Sequence, residues 1–196
     1  MTISPSIHYL LWKQSSAKTI IEKDIVRWTE VIAPLRKDLP SWVNFLWLIT
    51  DKTLMEFRSL FYYRIESSNN TINKSLLPFA RYLLKPRDAL YIESAYIGPG
   101  LVIKHGGNTV IRAASIGENC MIFQDVAIGY KYPGGGLPVI GNHVHISVGA
   151  KVLGSIRIGD YAIVAVNSVI IKDMPDRSTG GGVPARVIHQ AGVTDI

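Results

Sequence analysis

The apolar residues of the 196-residue chain follow one spacing in its first part and a different spacing in its second part. In residues 1–85 apolar side chains recur at steps of three and four residues, which is the spacing of amphipathic helices. One such stripe consists of Ile20, Ile21, Ile25, Trp28 and Ile32. Pro34 and Pro40 end or bend this helix, and the polar stretch "SSNNTINKS" separates later helical segments. We therefore predict an N-terminal α-helical region over residues 1–87.

The second part repeats with a period of six residues. One extra residue interrupts the series around "TVIRAAS", and a Gly-rich stretch interrupts it again before it resumes in phase. The aliphatic positions are Ile97, Ile103, Ile116, Ile122, Ile128, Ile140, Ile146, Val152, Ile158, Val164 and Ile170. This period is the signature of a parallel β-helix, in which each aliphatic residue points inward and stacks on its equivalent in the next coil. We predict a mostly β fold, with such a domain over residues 88–196.

The stretch "YKYPGGGLP", residues 130–138, is the clearest interruption of the repeat. Its glycines and prolines favour a loop that leaves the coil. It does not contain the G-x-x-x-x-G-K-[ST] pattern of a phosphate-binding P-loop.

Composition and charge narrow the classes of function. The net charge is +6 and the isoelectric point is near 9.4, but the basic residues are scattered and no nucleic-acid motif occurs, so we expect no nucleic-acid partner. No apolar run is long enough to span a membrane, and the N-terminus lacks the pattern of a cleaved signal. The single cysteine, Cys120, excludes an internal disulfide and fits a cytoplasmic protein.

Four segments in order, "IKHGGNTVI", "IGENCMIFQDVAIG", "YKYPGGGLPVIG" and "GGVPARVI", resemble the hexapeptide-repeat acyltransferases of the serine-acetyltransferase-like branch. The resemblance covers roughly residues 88–190, and "EFRSLFYYRI" looks more weakly like a helical segment of exopolysaccharide O-acetyltransferases. It implies a left-handed β-helix with three hexads per coil and a homotrimer with active sites between neighbouring subunits. It also implies acetyl-CoA as the donor and His105 as the general base.

The same resemblance implies further site residues. Gln124 is expected to stack one coil above His105, next to Asp125. Glu93 is a second group expected to contact the acceptor or to hold the imidazole ring. The family binds the pantetheine arm of the donor mainly through main-chain groups, and CoA phosphates through basic side chains. The matching positions for the donor are Gly129, Tyr130, Val148, Gly149, Val166, Asn167, Lys172 and Arg186.

Three positions depart from serine acetyltransferases themselves. Leu90 stands where those enzymes have an aspartate that orients the histidine, and Lys104 stands where they have another aspartate. The loop has Gly136-Leu137-Pro138 in place of the Arg-His-Pro element that grips the carboxylate of serine. We therefore expect O-acetylation of a saccharide, such as a capsule or exopolysaccharide precursor. The alternatives are L-serine, the amino group of an amino sugar, or a catalytically degenerate scaffold.

The remaining candidate residues have simpler interpretations. His143 and His145 alternate along one strand but lack carboxylate or cysteine companions, so we expect no metal site. Cys120 is expected to be a packing residue. The four tryptophans are expected in helix packing or trimer contacts, with docking on a membrane surface as the alternative because lysines and arginines lie nearby. These tryptophans are Trp12, Trp28, Trp42 and Trp47.

Overall fold

The computed structural model describes residues 3–190, which divide between Asp88 and Ala89 into a helical unit and a β unit. The helical unit contains a short 3-10 helix, Pro34–Arg36, and the α-helices α1 (Ile3–Gln14), α2 (Lys18–Ile32), α3 (Ser41–Thr50), α4 (Met55–Glu66) and α5 (Thr71–Leu83). Within residues 3–190, every helix is too short or too polar to cross a membrane.

Aromatic side chains fill the core of the helical unit. Trp12 packs on Phe45 with 4.7 Å between ring centroids, and Trp28 meets Phe57 edge to face at 5.4 Å. Both tryptophans are at most 1 % exposed, so they cannot contact a lipid surface in this fold. Trp42, by contrast, is 51 % exposed. The membrane alternative therefore loses two of the four side chains on which it rested.

Two buried arginines satisfy polar groups inside this helical core. Arg64 donates to the carboxylate of Asp24 at 2.9 Å, and both side chains are almost completely buried. Arg58 donates to the main-chain carbonyls of Ile49 and Asp51, each at 2.7 Å. These carbonyls lie at the end of α3, where a helix has no partners of its own for them, so Arg58 caps that helix.

The β unit is a left-handed parallel β-helix with three flat faces, as the sequence predicted. The five-strand face consists of β1 (Leu90–Ile92), β3 (Thr109–Ile111), β6 (Ala127–Gly129), β9 (Lys151–Leu153) and β12 (Val169–Ile170). The three-strand face consists of β4 (Ser115–Ile116), β7 (Val139–Ile140) and β10 (Arg157–Ile158). The six-strand face consists of β2 (Val102–Ile103), β5 (Met121–Ile122), β8 (His145–Ile146), β11 (Ile163–Val164), β13 (Ser178–Gly182) and β14 (Ala185–Gln190).

The hexad residues form the core of this solenoid. On the six-strand face, Ile103, Ile122, Ile146 and Val164 pair in register from coil to coil, and each is at most 1 % exposed. Burying such a side chain contributes about 1.5–3 kcal/mol. The antiparallel pair β13–β14 closes the top of this face. The predicted role of the six-residue period is confirmed.

Glycine follows the inward residue at one corner because successive coils approach closely there. A Cβ on Gly117 would lie 2.6 Å from the carbonyl carbon of Gly141, closer than real Cβ atoms come. The residues that come next cap the turns from coil to coil. Asn142 Oδ1 accepts from the backbone N–H of Glu118 at 2.9 Å, and Asp160 Oδ1 accepts from that of Asn142 at 2.8 Å. The glycines and caps at this corner therefore allow successive coils to stack closely.

Candidate functional site

The segment that holds the candidate base, residues 104–108, is here called the histidine turn. It joins β2 to β3 and is two residues longer than the turns stacked above it. Ile103 and Val110 are seven positions apart, whereas their partners in the next coil, Ile122 and Ala127, are five apart. The sequence placed one extra residue further along, around residues 109–115, and the register corrects this.

The additional length makes His105 protrude from the solenoid. Its side chain is exposed, and its backbone adopts a left-handed conformation with φ of +53°. The main-chain carbonyl of His105 accepts from the N–H of Gly107 at 2.6 Å, which closes the bend. Asn108, Asp125 and Asn167 adopt the same conformation at their turns, so it belongs to the turn geometry of this solenoid. The imidazole is thus held at the surface of a tight turn, accessible to a substrate.

Gln124 does not occupy the position that the sequence assigned to it. The N–H of Asp125 donates to the carbonyl of Gly107 at 3.0 Å, and that of Gly149 donates to the carbonyl of Gln124 at 3.1 Å. Gln124 is therefore in register with Gly107, and His105 is one of the inserted residues. The side-chain oxygen of Gln124 is buried and accepts no hydrogen bond from any residue in 3–190.

Asp125 lies at the edge of the histidine turn toward the five-strand face. Its Oδ1 accepts from the side-chain amide of Asn108 at 3.3 Å, and its main-chain carbonyl accepts from the ammonium group of Lys151. These contacts tie the turn to the next two coils. Asn108 and Lys151 were not singled out from the sequence.

Toward the six-strand face, the histidine turn adjoins a wall of two stacked rings. Phe123 and His145 lie parallel, with 5.1 Å between their centroids and 3° between their planes. Burial, and to a lesser extent the positive charge of Lys104, hold the pKa of the His145 imidazole below its ordinary value. Lys104 and Phe123 each follow an inward isoleucine, Ile103 and Ile122, so the six-residue period was the signal that places them in one column.

Glu93 and Tyr130 lie at a different corner from His105. This loop corner joins the five-strand to the three-strand face and includes the loop 130–138. Glu93 accepts from Arg112 Nε at 2.7 Å, and the guanidinium of Arg112 lies over the ring of Tyr130 with 5.7 Å to its centroid. Within one copy, Glu93 therefore forms an ion pair away from the imidazole and does not hold that ring, in contrast to the expectation from the sequence. Gly129 ends β6 at the same corner.

Four of the predicted donor residues continue the corner of the histidine turn upward. Val148 and Gly149 occupy the turn above Gln124, and Val166 and Asn167 occupy the next, with the N–H of Asn167 donating to the carbonyl of Val148 at 2.9 Å. Val166 is 64 % exposed and offers an apolar surface. The two basic donor candidates lie elsewhere. Lys172 is exposed beyond β12, at the loop-corner end of the five-strand face, and Arg186 is exposed on β14.

Within residues 3–190, no carboxylate forms a hydrogen bond or ion pair with His105 in place of the aspartate absent at position 90. Leu90 is buried at the start of β1 and pairs with Thr109. Among residues 3–190, no group of three His, Cys, Asp or Glu side chains is placed to hold a metal ion. His143 stacks on Tyr161, with 4.6 Å between ring centroids, whereas His145 stacks on Phe123.

Cys120 belongs to the core rather than to the site. Its thiol is buried, donates to the carbonyl of Gly141 at 3.1 Å, and has a pKa raised by burial to about 11. A thiol with so high a pKa is almost entirely protonated near neutral pH and is a poor nucleophile.

Proteins similar to this chain are serine acetyltransferases. The one from Synechococcus elongatus is 40 % identical over 102 residues, which cover 50 % of this chain and 42 % of the relative. That from Bacillus pumilus is 43 % identical over the same length, covering 50 % and 47 %. The chain therefore spans less than half of the curated relatives it matches. No protein-family model matches the chain.

Solved structures extend the likeness of fold to the helical region. Neisseria gonorrhoeae serine acetyltransferase superposes with a TM-score of 0.70 at 23 % identity, covering 96 % of this chain and 72 % of that one. A serine acetyltransferase in complex with CoA gives a TM-score of 0.69 at 26 % identity, covering 93 % and 75 %. The predicted fold, a left-handed β-helix preceded by helices, is thus confirmed.

Proposed function

We propose that this protein is an acetyl-CoA-dependent O-acetyltransferase in which His105 is the general base. The observation that carries the proposal is the exposed imidazole on a turn two residues longer than its neighbours, in a fold shared with serine acetyltransferases. Every other corner turn that stacks on the histidine turn keeps the shorter length, from Ile146 to Lys151 and from Val164 to Val169. The solenoid itself does not require the extra residues.

The chemistry requires little more than such an imidazole. A neutral alcohol attacks a thioester slowly, and a base that removes its proton during attack contributes about 10²–10⁴-fold. His105 takes the hydroxyl proton as the new C–O bond forms, and it gives that proton to the thiolate of CoA as the C–S bond breaks. Bound acetyl-CoA supplies the activated acetyl group. The developing negative charge on the carbonyl oxygen also needs hydrogen-bond donors close to it.

The donor positions fit a site shared between copies of the chain. Val148, Gly149, Val166 and Asn167 lie above the histidine turn, whereas Gly129 and Tyr130 lie at the loop corner. Both groups of residues can contact one acetyl-CoA molecule when the loop corner of one copy faces the histidine turn of the next. This supports the homotrimer implied by the family resemblance.

The acceptor is the least constrained part of the proposal. The names of the relatives favour L-serine, which the sequence ranked second, over a saccharide. The specific observation that favours another hydroxyl is a loop without the histidine and arginine that would hold the carboxylate of serine. L-serine is therefore the first acceptor to test, and saccharide hydroxyls are the second.

The test compares two histidines in the same backbone conformation. His105 has φ of +53° and His143 has φ of +56°, and both are exposed. Asparagine tolerates this conformation and cannot act as a base, so His105→Asn avoids the penalty of about 1–2 kcal/mol that alanine would add. We expect His105→Asn to lower acetyl-CoA thiol release by about 10²–10⁴-fold, with CoA affinity by calorimetry unchanged. His143→Asn is expected to retain activity.

Two results would argue against the proposal. Activity of His105→Asn within a few-fold of the wild type would remove His105 as the base. Failure of the wild-type protein to bind CoA at all would favour the degenerate scaffold instead.

A further inference from the structure

Lys104, the residue before the candidate base, is a cation without a partner. Its side chain is half-buried, and it makes no hydrogen bond or ion pair with any residue in 3–190. Lys151, the other basic side chain tied to this turn, is engaged, because it donates to the main-chain carbonyl of Asp125. Lys104 is thus the basic group at the histidine turn that remains available to a ligand.

The surroundings of Lys104 strengthen its attraction for an anion. The ammonium group is close enough to His145 for its charge to act on the imidazole, and His145 stacks on Phe123. Two parallel rings beside a charge displace water and lower the local dielectric, so a Coulomb interaction there exceeds the same interaction in open solvent. Because the pKa of His145 is lowered, this ring remains neutral near pH 7 and adds no second charge.

Neither of the two carboxylates considered as site residues forms an ion pair with Lys104. The carboxylate of Asp125 accepts from Asn108, and that of Glu93 is bound by Arg112 at the loop corner. An acceptor whose hydroxyl reaches His105 brings its neighbouring groups beside Lys104.

We propose that Lys104 binds an anionic group, a carboxylate or a phosphate, of the acceptor whose hydroxyl is deprotonated by His105. This inference rests on the proposed function and adds the chemical class of the acceptor. A free carboxylate occurs in serine as well as in acidic sugars, and a phosphate occurs in glycosyl phosphates. The experiment therefore separates these sources.

Pairs of acceptors in which one member carries an anionic group and the other a neutral group in its place provide the test. We compare kcat/KM for L-serine with serinol, for D-glucuronate with D-glucose, and for glucose 1-phosphate with methyl glucoside. Wild-type protein is expected to prefer the anionic member of the pair it uses by about tenfold or more, the effect of one charge-assisted contact. Lys104→Gln should remove that preference mainly through KM, and Lys104→Glu should reverse it. Lys52→Gln, which removes an exposed charge from the helical unit, should change neither.

A binding measurement keeps the inference testable even if none of these compounds is acetylated. Titration of the wild-type protein with inorganic phosphate and with acetate, followed by the ring signals of His145 in NMR spectra, should give a saturable shift that Lys104→Gln abolishes. Absence of that shift, or equal use of both members of each pair, would overturn the inference. The proposed function fails separately, if His105→Asn retains wild-type thiol release.

Discussion

Replacement of Gly117 by alanine tests the close approach of successive coils. The added Cβ would lie 2.6 Å from the carbonyl carbon of Gly141 and 2.5 Å from Asn142 Oδ1. Ordinary contacts between carbon atoms are about 3.5–4.0 Å, so the next coil has to move by roughly 1 Å. Overpacking of this kind costs about 1–3 kcal/mol. Weakening of the hydrogen bond from Glu118 N–H to Asn142 adds about 1 kcal/mol.

We therefore expect Gly117→Ala to lower the free energy of unfolding by about 2–4 kcal/mol, measured by urea titration with circular dichroism in the strand region. Gly129→Ala is the matched control, because a Cβ there meets no atom within 4 Å and its φ is not in the left-handed range. That variant should be unchanged or more stable by about 0.4–1 kcal/mol. Equal unfolding midpoints for the two variants would refute the steric argument.

Three further predictions concern buried groups. Cys120, with its pKa near 11, should react with a disulfide reagent in the native state about 100-fold or more slowly than free cysteine. NMR titration should give His145 a pKa below about 6.5, and Lys104→Gln should raise it only part way, because burial is the larger cause. Because the unfolded state then binds the proton more tightly, His145 should lower the free energy of unfolding as the pH falls below about 6.5. His145→Gln should remove this part of the pH dependence. Asp24→Ala should destabilise the helical unit by about 3–5 kcal/mol in urea titrations, because Arg64 would remain buried without its carboxylate.

The six-residue period revealed the β-helix because burial acts on every coil in the same way. Ile122 and Val164 pack in equivalent positions, so their spacing is visible in the sequence without any knowledge of contacts. The same reasoning predicted the position of the candidate site less well. From Ile103 to Ile116 the sequence shows only that the segment is one residue longer than two hexads. The strand pairing shows that the part before Ile111 is two residues longer than a regular hexad and the part after it is one residue shorter. The two changes partly cancel in the count, so Gln124 was paired with the wrong residue.

Side-chain clusters were the second kind of information absent from the pattern. The period places Phe123 and Lys104 in one column, but the stacking of Phe123 on His145 depends on side-chain rotamers. The tryptophans show the same limit. Helical spacing is compatible both with core packing and with an exposed apolar face, and only the tertiary structure buries Trp12 and Trp28 while leaving Trp42 exposed.

The longer histidine turn has an evolutionary consequence. The strands on either side of residues 104–108 keep their pairing with the next coil, so an insertion at this corner changes what protrudes without changing what is buried. A duplicated coil can therefore gain a reactive side chain through one short insertion, and lose it through one short deletion, with little loss of stability on the way. In such a solenoid, a change in the surface side chains that carry chemistry and the retention of the buried core can evolve almost independently.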